Sequence, residues 1–82
     1  MENNQHIERI VALIKPMSRS NVSIVAETMI IEDEVIDSLS VINLIMEIER
    51  EFDMKMGIMD VTIDDFQSPV KIQEAILRLK GI

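Results

Sequence analysis

A small all-α bundle is the architecture this chain encodes: a four-helix bundle in outline, with three main helices, one short third helix and a long first loop. Three features point to it. Apolar residues recur at spacings of three and four in separate segments, as they do when each helix buries one face. Start and stop signals bracket those segments, most plainly Ser68-Pro69 and Gly81 around the last one. The core must also be built from Ile, Val, Leu and Met, because apolar residues make up 48% of the 82 residues and aromatics only 2%.

The first helix is marked by Ile7, Ile10, Val11 and Ile14 on one face, and Pro16 stops it. A long connection from Met17 to Asp37 opens with Ser18, Ser20, Asn21 and Ser23 and then turns apolar at Ile24-Val25 and Met29-Ile30-Ile31. Left in solvent together, those side chains would be sticky. The connection is therefore expected to fold back over the open end of the bundle, with a helical turn.

The second helix has the strongest periodicity and runs from about Ser38 to Phe52. Val41, Ile45, Ile48 and Phe52 form its stripe with Leu44 beside them, while Glu47, Glu49, Arg50 and Glu51 point elsewhere. After it, the segment Asp53-Met54-Lys55-Met56-Gly57 reads as an exit turn ending at the glycine, with both methionines tucked inward. Thr62 and Asp65 have capping-box spacing and predict a short helical turn that carries Ile63 and Phe66 into the core. Ser68 suits an N-cap and Pro69 the first helical position; Ile72, Ala75, Ile76 and Leu79 then form the last stripe before Gly81. The whole of 1–82 reads as one domain.

Composition narrows the function. Eight Lys and Arg against fifteen Asp and Glu give a formal charge of −7, which repels phosphate backbones and makes nucleic acid an unexpected partner. A negative surface instead favours encounter with basic patches on other proteins. The absence of Cys rules out disulfides, thiolate zinc sites and a cysteine nucleophile. The N-terminus is acidic and polar, unlike a secretory signal, and no apolar run approaches the ~20 residues of a membrane-spanning helix, so a soluble cytoplasmic chain with no membrane insertion is expected.

Enzymatic chemistry finds little support. The single histidine, His6, sits at the polar start of the first helix and reads as a solvated surface residue, so no nucleophile has a base beside it. Glycines at only 57 and 81 cannot form a phosphate-binding loop. Glu32, Asp33, Glu34 and Asp37 could attract a cation such as Ca²⁺, but the calcium-loop glycine and terminal glutamate are missing, and a solvated acidic loop is expected without a metal site.

Ser38 remains. At a helix start it reads first as an N-cap or first-turn residue, with Asp37 adding favourable charge near the positive end of the helix dipole. The same geometry suits a phosphoester, because a phosphate on that hydroxyl would lie against free backbone N–H groups.

Asp37-Ser38-Leu39, followed by an amphipathic helix ending Glu49-Arg50-Glu51-Phe52, closely resembles the acyl carrier and peptidyl carrier protein family. Chain length, acidity, the lack of Cys, Ile63-Asp64-Asp65-Phe66 and Ser68-Pro69 extend the likeness over nearly the whole chain. The resemblance implies a protein with no catalysis of its own. Its Ser38 would carry 4′-phosphopantetheine donated by coenzyme A, attached by a phosphopantetheinyl transferase that uses Mg²⁺, with Asp37 helping to hold that metal. An acyl- or aminoacyl-activating ligase or a synthase would then load the arm's thiol, and the carrier itself would act as a monomer. Partners would dock on Leu39, Ile42, Asn43, Met46, Glu49 and Arg50, where Leu39, Ile42 and Met46 recur on a second apolar face, with core filling an equal alternative for Met46.

Fatty-acid carriers keep acids where this chain has Ser40, Asn43 and Arg50. Glu34-Val35-Ile36-Asp37-Ser38 looks more like the corresponding segment of D-alanyl carriers and other stand-alone carriers, with Glu34 in place of their glycine. Cargo and pathway therefore stay open. The alternative expectation is an unmodified helical interaction module with a carrier-like fold, using the face around Leu39, Ile42 and Met46.

Overall fold

The computed structural model describes residues 2–18 and 23–81. The polar residues Ser20 and Asn21 of the long connection lie outside them. The chain forms three α-helices, α1 (Glu2–Ile14), α2 (Ser38–Phe52) and α3 (Pro69–Lys80), with 3-10 turns at Lys15–Met17, Ile58–Asp60 and Ile63–Phe66. There is no strand among the described residues. The short third helix of the expected bundle is thus a single 3-10 turn of four residues, which packs on α3.

Each helix ends for a local reason. Pro16 follows α1 within a 3-10 turn, where its missing N–H prevents the α-helical ladder from continuing. At the start of α3, Ser68 Oγ accepts the N–H of Lys71 at 3.3 Å and Pro69 takes the first turn. Gly81 closes α3 at φ 78, ψ 26, donating its N–H to the Leu77 carbonyl. The exit from α2 differs from expectation. Asp53, not Gly57, takes the left-handed conformation, at φ 52, ψ 57. The Met54 N–H then reaches back 3.0 Å to the Glu49 carbonyl, a Schellman closure that satisfies an otherwise orphaned acceptor. An aspartate tolerates this conformation better than most side chains, which is why no glycine is needed there.

The core joins Ile10 and Ile14 of α1, Leu44 and Ile48 of α2, and Ile72 and Ile76 of α3, all fully or almost fully buried. Leu44 sits at the centre of the α2 stripe, while Ile45 lies at its edge, only partly buried. Met56 is buried and Met54 packs half-exposed against the core.

The long connection does fold back over the bundle. Its Ile24, Ile30, Val35 and Ile36 are buried, and a helical turn is closed by the Asp33 N–H on the Met29 carbonyl at 2.9 Å. Two backbone hydrogen bonds pin it to the entry of α3: Ile30 N–H to the Gln67 carbonyl at 2.7 Å, and Val70 N–H to the Ala26 carbonyl at 3.0 Å. Val25 and Met29, expected to turn inward with their neighbours, remain exposed. They lie next to the inward-facing Ile24 and Ile30, and adjacent residues of a short irregular segment cannot all face one side.

Candidate functional site

The site grows from the junction between the long connection and α2. Asp37 is in extended conformation, φ −89 and ψ 169, and caps α2 by accepting the Ser40 N–H on Oδ1 at 2.8 Å. Asp37 therefore fills the N-cap position, and Ser38 is the first helical residue with an exposed side chain. Division of labour follows: the aspartate satisfies the helix start, so capping does not occupy the serine hydroxyl. The first-turn N–H groups of any α-helix lack intrahelical acceptors and carry the positive end of its dipole, a setting that favours an anionic group on that hydroxyl.

Beside Ser38 is a depression of about 310 Å³ lined by Ile31, Glu34, Ile36, Asp37 and Ser38. Glu34 was not expected among these residues. Its backbone lies in the left-handed region, at φ 58.

The face of α2 that leads away from Ser38 is apolar and open. Leu39 is 78% exposed, Ile42 61% and Met46 58%, while Asn43 and Arg50 are also exposed. Glu49 departs from this strip. Its side chain is half-buried and its Oε2 accepts the Met56 N–H at 2.8 Å, so it holds the α2 exit turn. The other α2 carboxylates are also engaged: Glu47 pairs with Arg50, and Glu51 with Arg9 at 3.0 Å.

On the other flank of α2 lies an apolar groove of about 190 Å³, lined by Val41, Ile45, Val61, Thr62, Ile63 and Phe66. Ile63 was expected in the core but is 55% exposed at the groove's rim; only Phe66 of that turn is buried. In a 3-10 turn residues three apart share a face, so their difference lies along the turn: Phe66 stands at the end that leads into α3 and enters the core, and Ile63 stands at the outer end. The Thr62–Asp65 capping box forms as its spacing predicts, with the Thr62 N–H on Asp65 Oδ2 at 2.8 Å. Arg78 of α3 anchors this segment, donating to the Asp60 carbonyl at 3.1 Å and to Asp65 Oδ2 at 3.4 Å.

His6 is not a solvated surface residue. Its ring lies 5.8 Å from that of Phe52, and its Nδ1 is buried without a hydrogen-bond partner. It packs α1 against the end of α2, far along the helix from Ser38. Among the described residues, no three His, Asp or Glu side chains gather into a group able to hold a metal ion, and no helix is long and apolar enough to cross a membrane. Glu32, Asp33 and Glu34 are exposed. A comparison with protein-family models finds none that matches this chain.

Proposed function

We propose that this protein is a carrier that holds acyl or aminoacyl groups on a 4′-phosphopantetheine arm attached to Ser38 and presents them to partner enzymes. The single observation carrying this reading is the exposed Ser38 hydroxyl in the first turn of α2, with the cap supplied by its neighbour Asp37. The residues present suit the group: an accessible hydroxyl, a helix N-terminus for the phosphate, and no thiol of the chain's own.

When attached, the arm supplies the thiol on which cargo is held as a thioester. The chain's own residues do the rest. Ser38 Oγ forms the bond to the phosphorus bearing the pantetheine as the pyrophosphate bond of coenzyme A breaks. The nucleotide bisphosphate then leaves with the bonding electrons, and the hydroxyl proton passes to a base of the transferase. Asp37 holds the helix start rigid beneath that hydroxyl. The groove between α2 and the Val61–Phe66 segment offers an apolar resting place for an acyl chain on the same helix that bears the arm.

Incubation with coenzyme A and a broad-specificity phosphopantetheinyl transferase, followed by intact mass measurement, tests the proposal. One added arm on wild type and none on Ser38→Ala is expected. No gain on wild type, or a gain retained in Ser38→Ala, overturns it.

The exposed Leu39–Ile42–Met46 strip favours a second reading, an unmodified interaction module. It requires that Ser38→Ala leave function intact while Ile42→Glu abolishes partner capture; loss of function in Ser38→Ala counts against it.

A further inference from the structure

The two walls of the groove beside α2 are held differently. Val41 and Ile45 stand on a helix whose Leu44 and Ile48 are wholly buried, so that wall cannot shift without disturbing the core. The facing wall is a short, irregular stretch of backbone. Of its residues Phe66 is buried, whereas Thr62 and Ile63 are exposed and Val61 is only partly covered. Phe66 anchors one end, and burial does little for the rest.

That rest is tied down by one side chain. Among the described residues, the hydrogen bonds that join residues 57–65 to an α-helix come from Arg78 of α3, whose Nη2 donates to the Asp60 carbonyl at 3.1 Å and to Asp65 Oδ2 at 3.4 Å. The two acceptors lie immediately on either side of residues 61–64, so a single guanidinium pins both ends of the run that supplies the wall. Asp65 Oδ2 also accepts the Thr62 N–H at 2.8 Å, which couples the brace to the cap of the turn. The Arg78 side chain is 53% exposed and that of Asp65 21%, so the brace faces solvent and is weak as a source of stability. It is placed to position the wall more than to keep the domain folded.

We infer that Arg78 is a positioning residue that fixes the width of this groove and, with it, the length of acyl chain the carrier shelters. This rests on the carrier reading. Arg78 does not line the groove and acts through the backbone that it holds. Loss of the brace frees residues 61–64 to move away from α2, and a longer chain then finds apolar cover that the braced groove of about 190 Å³ does not offer.

The test gives the full chain to a broad-specificity phosphopantetheinyl transferase with coenzyme A or its straight-chain acyl thioesters, butanoyl to hexadecanoyl. Each acylated form is then melted against the unacylated, arm-bearing protein. In wild type the increment should grow by about 3 °C per methylene while the groove fills, and then level off. In Arg78→Gln it should keep growing past that length, while the arm attaches as in wild type and the unacylated protein melts within about 5 °C of wild type. Arg78→Lys keeps a donor without the planar fork and should level off between the two. Asp65→Asn leaves Arg78 in place, can still accept the Thr62 N–H, and should shift the limit in the same direction as Arg78→Gln. The same limiting length in wild type and Arg78→Gln overturns the inference, as does a uniform loss of increment at every length, which marks a purely structural role. Attachment of the arm with no chain-length dependence in wild type sinks the inference and leaves the carrier reading standing; no attachment at all sinks both.

Discussion

Asp37 Oδ1 lies 2.8 Å from the backbone nitrogen of Ser40 and accepts its N–H, bridging over Ser38. The same short stretch thus both starts α2 and leaves a hydroxyl in the open. Asp37→Ala removes the cap and should lower stability by about 1 kcal/mol, whereas Asp37→Asn, which still presents a side-chain oxygen, should lose far less. Urea unfolding of the three proteins, compared at equal m-value, checks this.

Arg9 fastens α1 to the end of α2 three ways. Its guanidinium lies 4.3 Å from the centroid of the Phe52 ring, and it donates to the Glu51 carboxylate at 3.0 Å and to the Glu51 carbonyl at 2.9 Å. Both charged side chains are substantially exposed, so the ion pair alone is worth little. Arg9→Ala should cost about 1–2 kcal/mol in all, with a coupling to Glu51→Gln below about 1 kcal/mol in a double-mutant cycle. A larger coupling would mean that the charge pair, and not the ring and carbonyl contacts, carries the clamp.

Phe66 and Ile63 share one 3-10 turn but have opposite fates. Phe66→Ala should destabilise by about 3–5 kcal/mol through the cavity it leaves, enough to threaten folding of a domain this small, while Ile63→Ala should stay within about 0.5 kcal/mol. Chemical denaturation of the two single variants gives the comparison directly.

The groove beside α2 makes a prediction about cargo. If an acyl chain on the arm rests against Val41, Ile45 and Val61, an octanoyl-loaded protein should melt about 5 °C or more above the unacylated one, since each buried methylene is worth about 0.8 kcal/mol. Val61→Phe, which fills the groove, should abolish that increment while leaving attachment of the arm to Ser38 unaffected. Differential scanning calorimetry on both loaded forms, with mass measurement of arm attachment, separates the two effects.

Much of the architecture could be read from residues a few positions apart. The span of α2 from Ser38 to Phe52, the Ser68-Pro69 start of α3, the Gly81 stop and the Thr62–Asp65 capping box all follow from signals contained within one or two helical turns. Spacing placed Leu39, Ile42 and Met46 on a face distinct from the stronger stripe but left Met46 equally suited to filling the core; all three are exposed.

Other features depend on partners distant in the chain, which periodicity does not report. Glu51 is engaged by Arg9 42 residues away, and Ile30 is held by a carbonyl at Gln67. Helical spacing settled where segments begin, end and turn a face inward, because those are properties of local backbone hydrogen bonding. Which side chains filled the interior, which carboxylates were consumed by internal contacts and what came to rest beside the Ser38 hydroxyl were decided when the segments packed. Burial and charge pairing depend on what lies across the fold: α1 against the end of α2 for Glu51, and the returning connection against the entry of α3 for Ile30.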